Sequence, residues 1–337
     1  MVDMVEGKYT LTVEDVCSIL VCMAPTNRNN PQRAASSGSS YSLMEFMRDF
    51  PDDAACLEWL WRTRFSEDGE HAHCEKCDQE RTFKRYATGQ QRQSWTCTAC
   101  GHHVHPTAGT IFHKSSTSLQ LWFYAMYLMT STRCGISAKQ VERELGVTYK
   151  TAWRMCHLIR EELMPQDRMP LDGEVEADES GFVGKPRVGQ KMTLRQHQDR
   201  KIPVAGVVER GGRVIASVQK HRVDTRNHVA TYVMPAAMLY TDEYGAYIEV
   251  GRKFAAHQRI NHSEKVYVSG DVHTQTIEGF WSLCKNGIRG VYHSVSAKHL
   301  QGYLNEYAWR YNHRNDGQAM FLTVALNSAQ ECRSLAS

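Results

Sequence analysis

At 337 residues, with 42% hydrophobic and 23% charged side chains, the chain has the make-up of a soluble globular protein with room for two or three cores. Its net charge of +3 excludes little, because attraction to nucleic acid depends on how cations cluster. The longest apolar block, Leu119–Met129, is too short to span a bilayer and is interrupted by Gln120, so no membrane partner is expected.

Asp3, Glu6, Glu14 and Asp15 flank the short apolar run Ser18–Ala24, which is therefore not expected to act as a secretory leader. A reducing cytoplasm is the expected location. There, eleven cysteines suit metal ligation better than disulfides. Residues 1–40 form an unassigned segment and linker, with proline, glycine, asparagine and serine mixed over 25–40. A helical segment over 41–69 follows. Tyr41–Phe65 carries one apolar stripe at Leu43, Phe46, Met47 and Phe50 and a second at Leu57, Leu60 and Trp61.

Residues 70–112 hold Cys74-x2-Cys77 and Cys97-x2-Cys100, separated by nineteen residues. Each pair can turn its sulfurs inward, and two such knuckles supply the four thiolates of one structural zinc ion, a zinc ribbon. His71, His73, His102, His103 and His105 flank them. Each is able to replace a cysteine ligand, though surface histidines are the plainer reading. Phe83, Lys84, Arg85, Tyr86, Arg92 and Trp95 would give the ribbon a positive face.

The next segment, 113–165, is helical from Leu119 to Leu163. Ile136–Thr148 reads as a short amphipathic helix ending at a turn glycine, Gly146, with Thr148 capping the helix that follows. In that second helix Ala152, Met155, Cys156 and Ile159 repeat at helical spacing. Tyr149, Lys150, Arg154 and His157 are expected to face out, as a helix-turn-helix presents side chains to a DNA major groove. An ordinary helical hairpin with a solvated basic face would share most of this pattern.

After Pro165 and Pro170 the period changes to that of strands. Candidates are Glu174–Val183, Ile202–Glu209 and Arg213–His221, the last two joined through Gly211-Gly212. A helix near Asp224–Met234, a strand ending at Asp242, and helices over Thr276–Ile288 and Ser296–Asn312 complete an α/β domain with a mixed sheet, over 172–315. Residues 316–337 form a C-terminal tail. From Lys185 to Lys201 the chain carries six cations against Asp199 alone.

Three carboxylates stand out: Asp178 on the first strand, Asp242 at the end of a later one, and Glu278 on a helix 36 positions further on. Acids so placed suit a pair of divalent metals that clamp the attacking and leaving oxygens of a phosphodiester. Glu174, Glu176 and Asp178 would share one strand face, where their repulsion calls for solvent or cations. Metal binding accounts for that repulsion; a solvent-facing edge strand would as well. On the helix, Ile277, Phe280, Trp281, Cys284 and Ile288 form an apolar stripe. Glu278, Ser282, Lys285 and Arg289 form a polar one, so an acid and two phosphate-binding cations would lie along a single face.

The motifs Val175–Ser180, Thr241–Tyr247 and His273–Ser282, behind a zinc ribbon and a helix-turn-helix, resemble bacterial insertion-sequence transposases of the zinc-ribbon DDE group. Ile288–His293 and Trp309–Arg314 are similar too. The resemblance implies a ribonuclease-H-like catalytic domain that cuts at the element's inverted repeats and joins the freed 3′-OH to target DNA. It further implies Asp178, Asp242 and Glu278 as ligands of two Mg²⁺ or Mn²⁺ ions, with Lys285 contacting the transferred end. Relatives often carry asparagine where this chain has Gln275, and the glutamine favours Glu278 as the third acid. Double-stranded DNA and at least a homodimer on it are the implied partners, with the protein on the nucleoid when bound. Two other functions fit many of the same residues: a DNA-binding regulator derived from a transposase, and a ribonuclease-H-like nuclease that hydrolyses without joining.

Overall fold

A computed structural model describes residues 41–86, 94–132, 134–183, 193, 201–260, 273–316 and 319–332. They fall into two compact units, one running up to Tyr124 and resuming at Ala325, the other Ala125–Val324. The basic run 185–201 lies outside the described residues, save Thr193 and Lys201, as does the segment 1–40.

In the first unit, the helix expected over Tyr41–Phe65 is two helices, α1 (Leu43–Asp49) and α2 (Asp53–Arg64). Pro51 breaks them: the residue before a proline is pushed out of helical geometry, and Phe50 sits at φ −128°, ψ 62°. Each helix has its own start signal. Ser42 and Glu45 form a capping box, and Asp52 accepts from the backbone N–H of Ala55. Only part of the anticipated first stripe is buried; Phe46 and Phe50 are in the core, whereas Leu43 and Met47 are exposed.

Four antiparallel strands follow in sequential order: β1 (His71–Cys74), β2 (Gln79–Tyr86), β3 (Ser94–Cys97) and β4 (His103–Val104). Trp61 of α2 stacks on Trp95 at 4.9 Å and donates to the Gly69 carbonyl at 2.8 Å, so sheet and helix share one core with Leu57, Phe83 and Cys74. Helix α3 (Leu119–Ser131) then leads into the second unit.

That unit opens with α4 (Ala138–Leu145) and α5 (Tyr149–Leu158), the latter ending in a π-helical turn, Ile159–Leu163. The five-stranded sheet follows, built from β5 (Glu174–Val183), β6 (Lys201–Glu209), β7 (Val214–Val218), β8 (Met238–Thr241) and β9 (Ala256–Arg259). Its order is β7-β6-β5-β8-β9; β5, β6 and β7 pair antiparallel, and β8 and β9 continue parallel to β5. Strand β7 stops three residues short of the expected His221.

Helices α6 (Thr225–Tyr232) and α7 (Ala246–Gly251) cover one sheet face, and α8 (Gln275–Gly287) and α9 (Leu300–Asn312) cover the other. The first face packs Val175, Ala177, Val207, Ile215 and Leu239 with Val229 and Tyr247. The second packs Phe182, Val204 and Val208 with Ile277, Phe280, Trp281 and Leu304. Alternation along β5 therefore divides two cores. Helix α7 and strand β9 had no clear sequence signal, since one is six residues long and the other is a polar edge strand. Helix α10 (Met320–Ala329) closes the described chain.

Candidate functional site

The four cysteines converge as their spacing implies. The sulfurs of Cys74, Cys77, Cys97 and Cys100 all lie within 4.8 Å of one another, and Cys74 and Cys100 are 3.6 Å apart. Four thiolates around one zinc at about 2.3 Å would be separated by roughly 3.8 Å, so the donor set fits that ion. Burial raises the Cys97 thiol, but hydrogen bonds from the backbone at Cys100 and Ala99 outweigh it and bring the thiol down to about 7. Two of the flanking histidines are used elsewhere: His71 pairs with Asp68 at 2.6 Å, and His103 bonds Thr96 at 2.8 Å.

The acids are gathered by sheet register. Ala177 of β5 pairs with Thr241 of β8, so Asp178 and Asp242 are the next residues on adjacent parallel strands, on the same side of the sheet. Asp242 accepts from the Tyr244 backbone N–H at 2.9 Å. Glu278 is exposed on the first turn of α8, where the Thr274 hydroxyl donates to it at 3.2 Å. Asp178 receives the Trp281 indole N–H at 3.1 Å. Burial, and then the charges of Glu179, Asp242 and Glu278, push the Asp178 carboxyl up to about 7. Asp178 thus feels the charge of residues up to a hundred positions away. Among the described residues, only the cysteines meet at the 4.8 Å spacing of a single-ion site. Glu179 is already engaged, by the Tyr247 hydroxyl at 2.7 Å and Arg222 Nε at 2.9 Å.

For the other two acids of the β5 face, the cation is a side chain rather than a metal. Arg210 donates to Glu174 and to Glu176, each at 2.9 Å, and its guanidinium lies 4.0 Å from the Tyr240 ring centre. Glu176 is fully buried. It also accepts from the backbone N–H groups of Thr276 and Ile277 at 2.9 and 3.0 Å. Repulsion along the strand is therefore relieved by Arg210 and a helix N-terminus, and only Asp178 remains turned toward Asp242 and Glu278. Sequence reasoning missed Arg210 and Trp281 as parts of this site. Arg210 sits in no motif, Trp281 reads as part of the apolar stripe beside Glu278, and no local pattern links either to β5.

On α8 both stripes hold. Ile277, Phe280, Trp281, Cys284 and Ile288 are buried, while Glu278 and Arg289 are exposed and Lys285 is half-buried between them. Arg289 belongs to a π-helical turn, Ile288–Tyr292, that continues the helix. Gly206, opposite Asp178 on β6, makes room for the Trp281 ring; a Cβ there would lie 2.6 Å from it.

Residues 170–312 match the ISXO2-like transposase domain, a stretch that holds all three acids, Lys285 and Arg289. An uncharacterized protein in transposable element ISH50 of Halobacterium salinarum is 28% identical over 253 residues, covering 71% of this chain and 84% of the relative. On both counts the chain is similar to insertion-sequence transposases.

The α4–α5 pair lies ahead of the matched stretch. Gly146 takes φ +64° at the turn, a left-handed conformation that favours glycine, and Thr148 accepts from the Thr151 N–H at 3.3 Å. Ala152, Met155, Cys156 and Ile159 are buried. Tyr149, Lys150 and Arg154 are exposed as expected. His157 departs from them: it is half-buried, stacked on Trp153 at 5.0 Å and edge-on to His299 at 5.2 Å. Burial lowers its pKa. Among the described residues, no helix is long and apolar enough to cross a membrane.

Proposed function

We propose that this chain is a transposase that cuts at the ends of its element and joins the freed 3′-OH to target DNA, using Asp178, Asp242 and Glu278 on a ribonuclease-H-like domain. The observation that carries the reading is the parallel register that sets Asp178 beside Asp242, with Asp242 and Glu278 both raising the Asp178 carboxyl. The sheet order, with three antiparallel strands extended by two parallel ones, supports the ribonuclease-H-like assignment.

Carboxylate oxygens are donors for hard divalent cations, and a two-ion site spans a wider cluster than one ion does, as this spacing requires. Mg²⁺ or Mn²⁺ bound there would stabilise both the attacking and the leaving oxygen of an in-line displacement. Asp178 supplies a carboxylate oriented by Trp281, Asp242 one held by its own turn, and Glu278 one carried on α8. Lys285 and Arg289 follow two and three turns along the same helix, where cations suit the phosphates of a DNA end.

The cysteine quartet holds one zinc that orders the ribbon. Tyr149, Lys150 and Arg154 form the DNA-facing part of a helix-turn-helix, and His157, expected among them, instead packs as support for Trp153. Two ends must be brought together, so the working form on DNA is a dimer or larger.

The test is a strand-transfer assay with duplexes bearing the element ends and Mg²⁺ or Mn²⁺. Asp178→Ala is expected to lower joined product by at least about a hundredfold while end binding stays within about threefold. Undiminished joining by that variant would remove Asp178 from the site. Cleaved but unjoined product from the unaltered protein would make it a nuclease instead.

A further inference from the structure

We propose that Glu176 is a positioning residue for the acidic site: it caps α8 from across the domain and so sets where Glu278 stands relative to Asp178. The proposal rests on the reading of those acids given above.

The argument begins with the start of α8. Its first N–H groups have no partner within the helix, and Thr274 at the N-cap makes no side-chain capping bond. Glu176, a hundred residues earlier in sequence, fills that role. Its Oε2 accepts from the N–H groups of Thr276 and Ile277, and its Oε1 from the Thr276 hydroxyl at 2.9 Å. A carboxylate at this end also meets the positive pole of the helix. Glu278 is the next residue, and its own N–H bonds the Thr274 carbonyl at 3.1 Å. Any shift of this first turn moves Glu278 with it.

A second contact turns the cap into a ruler. One turn further along α8, the Trp281 indole donates to Asp178 at 3.1 Å. Glu176 and Asp178 are two residues apart on one face of β5, a rise of about 6.7 Å. From Ile277 to Trp281 the helix rises about 6 Å. Strand and helix therefore match in pitch between these two contacts, and the helix is fixed in both axial position and rotation.

Arg210 completes the brace. It neutralises Glu176 through Nε and bonds the His273 carbonyl at 2.9 Å, holding the residue that leads into the helix. His273 Nδ1 lies 3.1 Å from Glu176 Oε1, but off the line required for a hydrogen bond. Glu176 itself is fully buried and every one of these partners is a protein group, so its part is to place, not to ligate.

The experiment compares Glu176→Gln with the unaltered full chain, reading Mn²⁺ binding by calorimetry and the Mn²⁺ concentration that half-saturates strand transfer. Glutamine keeps the size but loses the charge and presents an amide N–H₂ to either Arg210 or the helix N–H groups. Mn²⁺ binding should weaken by about tenfold, in the range found when groups supporting metal ligands are changed. The rate at saturating Mn²⁺ should return to within about threefold of the unaltered protein. Thr276→Val, which removes one hydrogen bond and leaves the charge, should shift both readouts the same way by about threefold, and it keeps the test open if Glu176→Gln folds poorly. A lowered melting temperature with unchanged Mn²⁺ half-saturation in both variants would overturn the proposal and leave Glu176 as a packing residue. If the unaltered protein binds Mn²⁺ in an Asp178-dependent way while Glu176→Gln binds it equally well, only this proposal fails. If the unaltered protein binds none, the reading of the acids fails and takes this one with it.

Discussion

Asp178 is charged at a cost. Its carboxyl stands near 7 rather than 3.8 because burial and three neighbouring acids oppose ionisation. The penalty is absent below pH 3.8, where the group is protonated in folded and unfolded chains alike, and complete above about 7. Metal-free protein should therefore lose stability as pH rises from 4 to 8. The shift bounds the effect at roughly 4 kcal/mol, and partial exposure of the carboxyl brings the expected value to about half of that. Asp178→Asn removes the charge at nearly constant shape, so in magnesium-free buffer at pH 8 it should melt higher than the unaltered protein. It should also lose the stabilisation that added Mn²⁺ brings. A lower melting temperature for that variant would contradict the crowding. Asp178 was legible in sequence because aspartate is uncommon within a strand. The division of labour between it and Glu176 was not, since both are acids on one face of one strand.

At the level of single elements, the ribbon and the helix pair were the most readable parts. Two Cys-x2-Cys turns need only local geometry to aim their sulfurs, and Gly146 and Thr148 mark a turn and a cap within three residues. Cys74→Ser should abolish bound zinc, expected at one per chain, and melt β1–β4, because a small sheet of this kind draws much of its folding energy from the metal. Zinc content and thermal unfolding check it; unchanged zinc would exclude the quartet. On α5, Lys150→Ala and Arg154→Ala should each weaken duplex binding at all sequences alike and flatten the salt dependence by about one unit of slope if they contact phosphate. A binding titration at several salt concentrations reads this directly, and an unchanged slope would point to base contacts or none. The single helix expected over Tyr41–Phe65 was misread because the apolar stripe continues through Pro51, and periodicity alone does not register a missing N–H.

Across the second unit, the C-terminal end of α5 and helix α9 are joined by a buried ionic cluster that no motif announces. Arg160 Nε meets Glu306 at 2.6 Å, Arg310 meets it at 2.9 Å, and the Arg160 guanidinium lies 4.3 Å from the Tyr303 ring centre. Burial would raise the Glu306 carboxyl, but Arg160 and Arg310 outweigh it and hold it below the usual carboxylate range. Its stabilisation is thus present above pH 4.5 and lost as pH falls through the depressed value. Glu306→Gln leaves two buried guanidinium groups short of charge and should cost about 3–5 kcal/mol in a urea titration at pH 7. A loss under about 1 kcal/mol would mean that solvent reaches the cluster.

Taken alone, the amino-acid order settled what depends on neighbours a few positions apart. It determined the cysteine knuckles, the turn and cap around Gly146, the two stripes of α8, and the alternation of β5. It also marked Asp178, Asp242 and Glu278 as chemistry in search of a meeting place. Tertiary structure alone decided which acids meet and which are spent on holding the fold. Parallel pairing of Ala177 with Thr241 brings Asp242 beside Asp178, and docking of α8 consumes Glu176 at a helix end while leaving Glu278 in solvent. The reason is physical: side-chain spacing along one element follows from backbone geometry, whereas encounters across 64 to 101 positions follow from strand order and helix packing, which no short window contains.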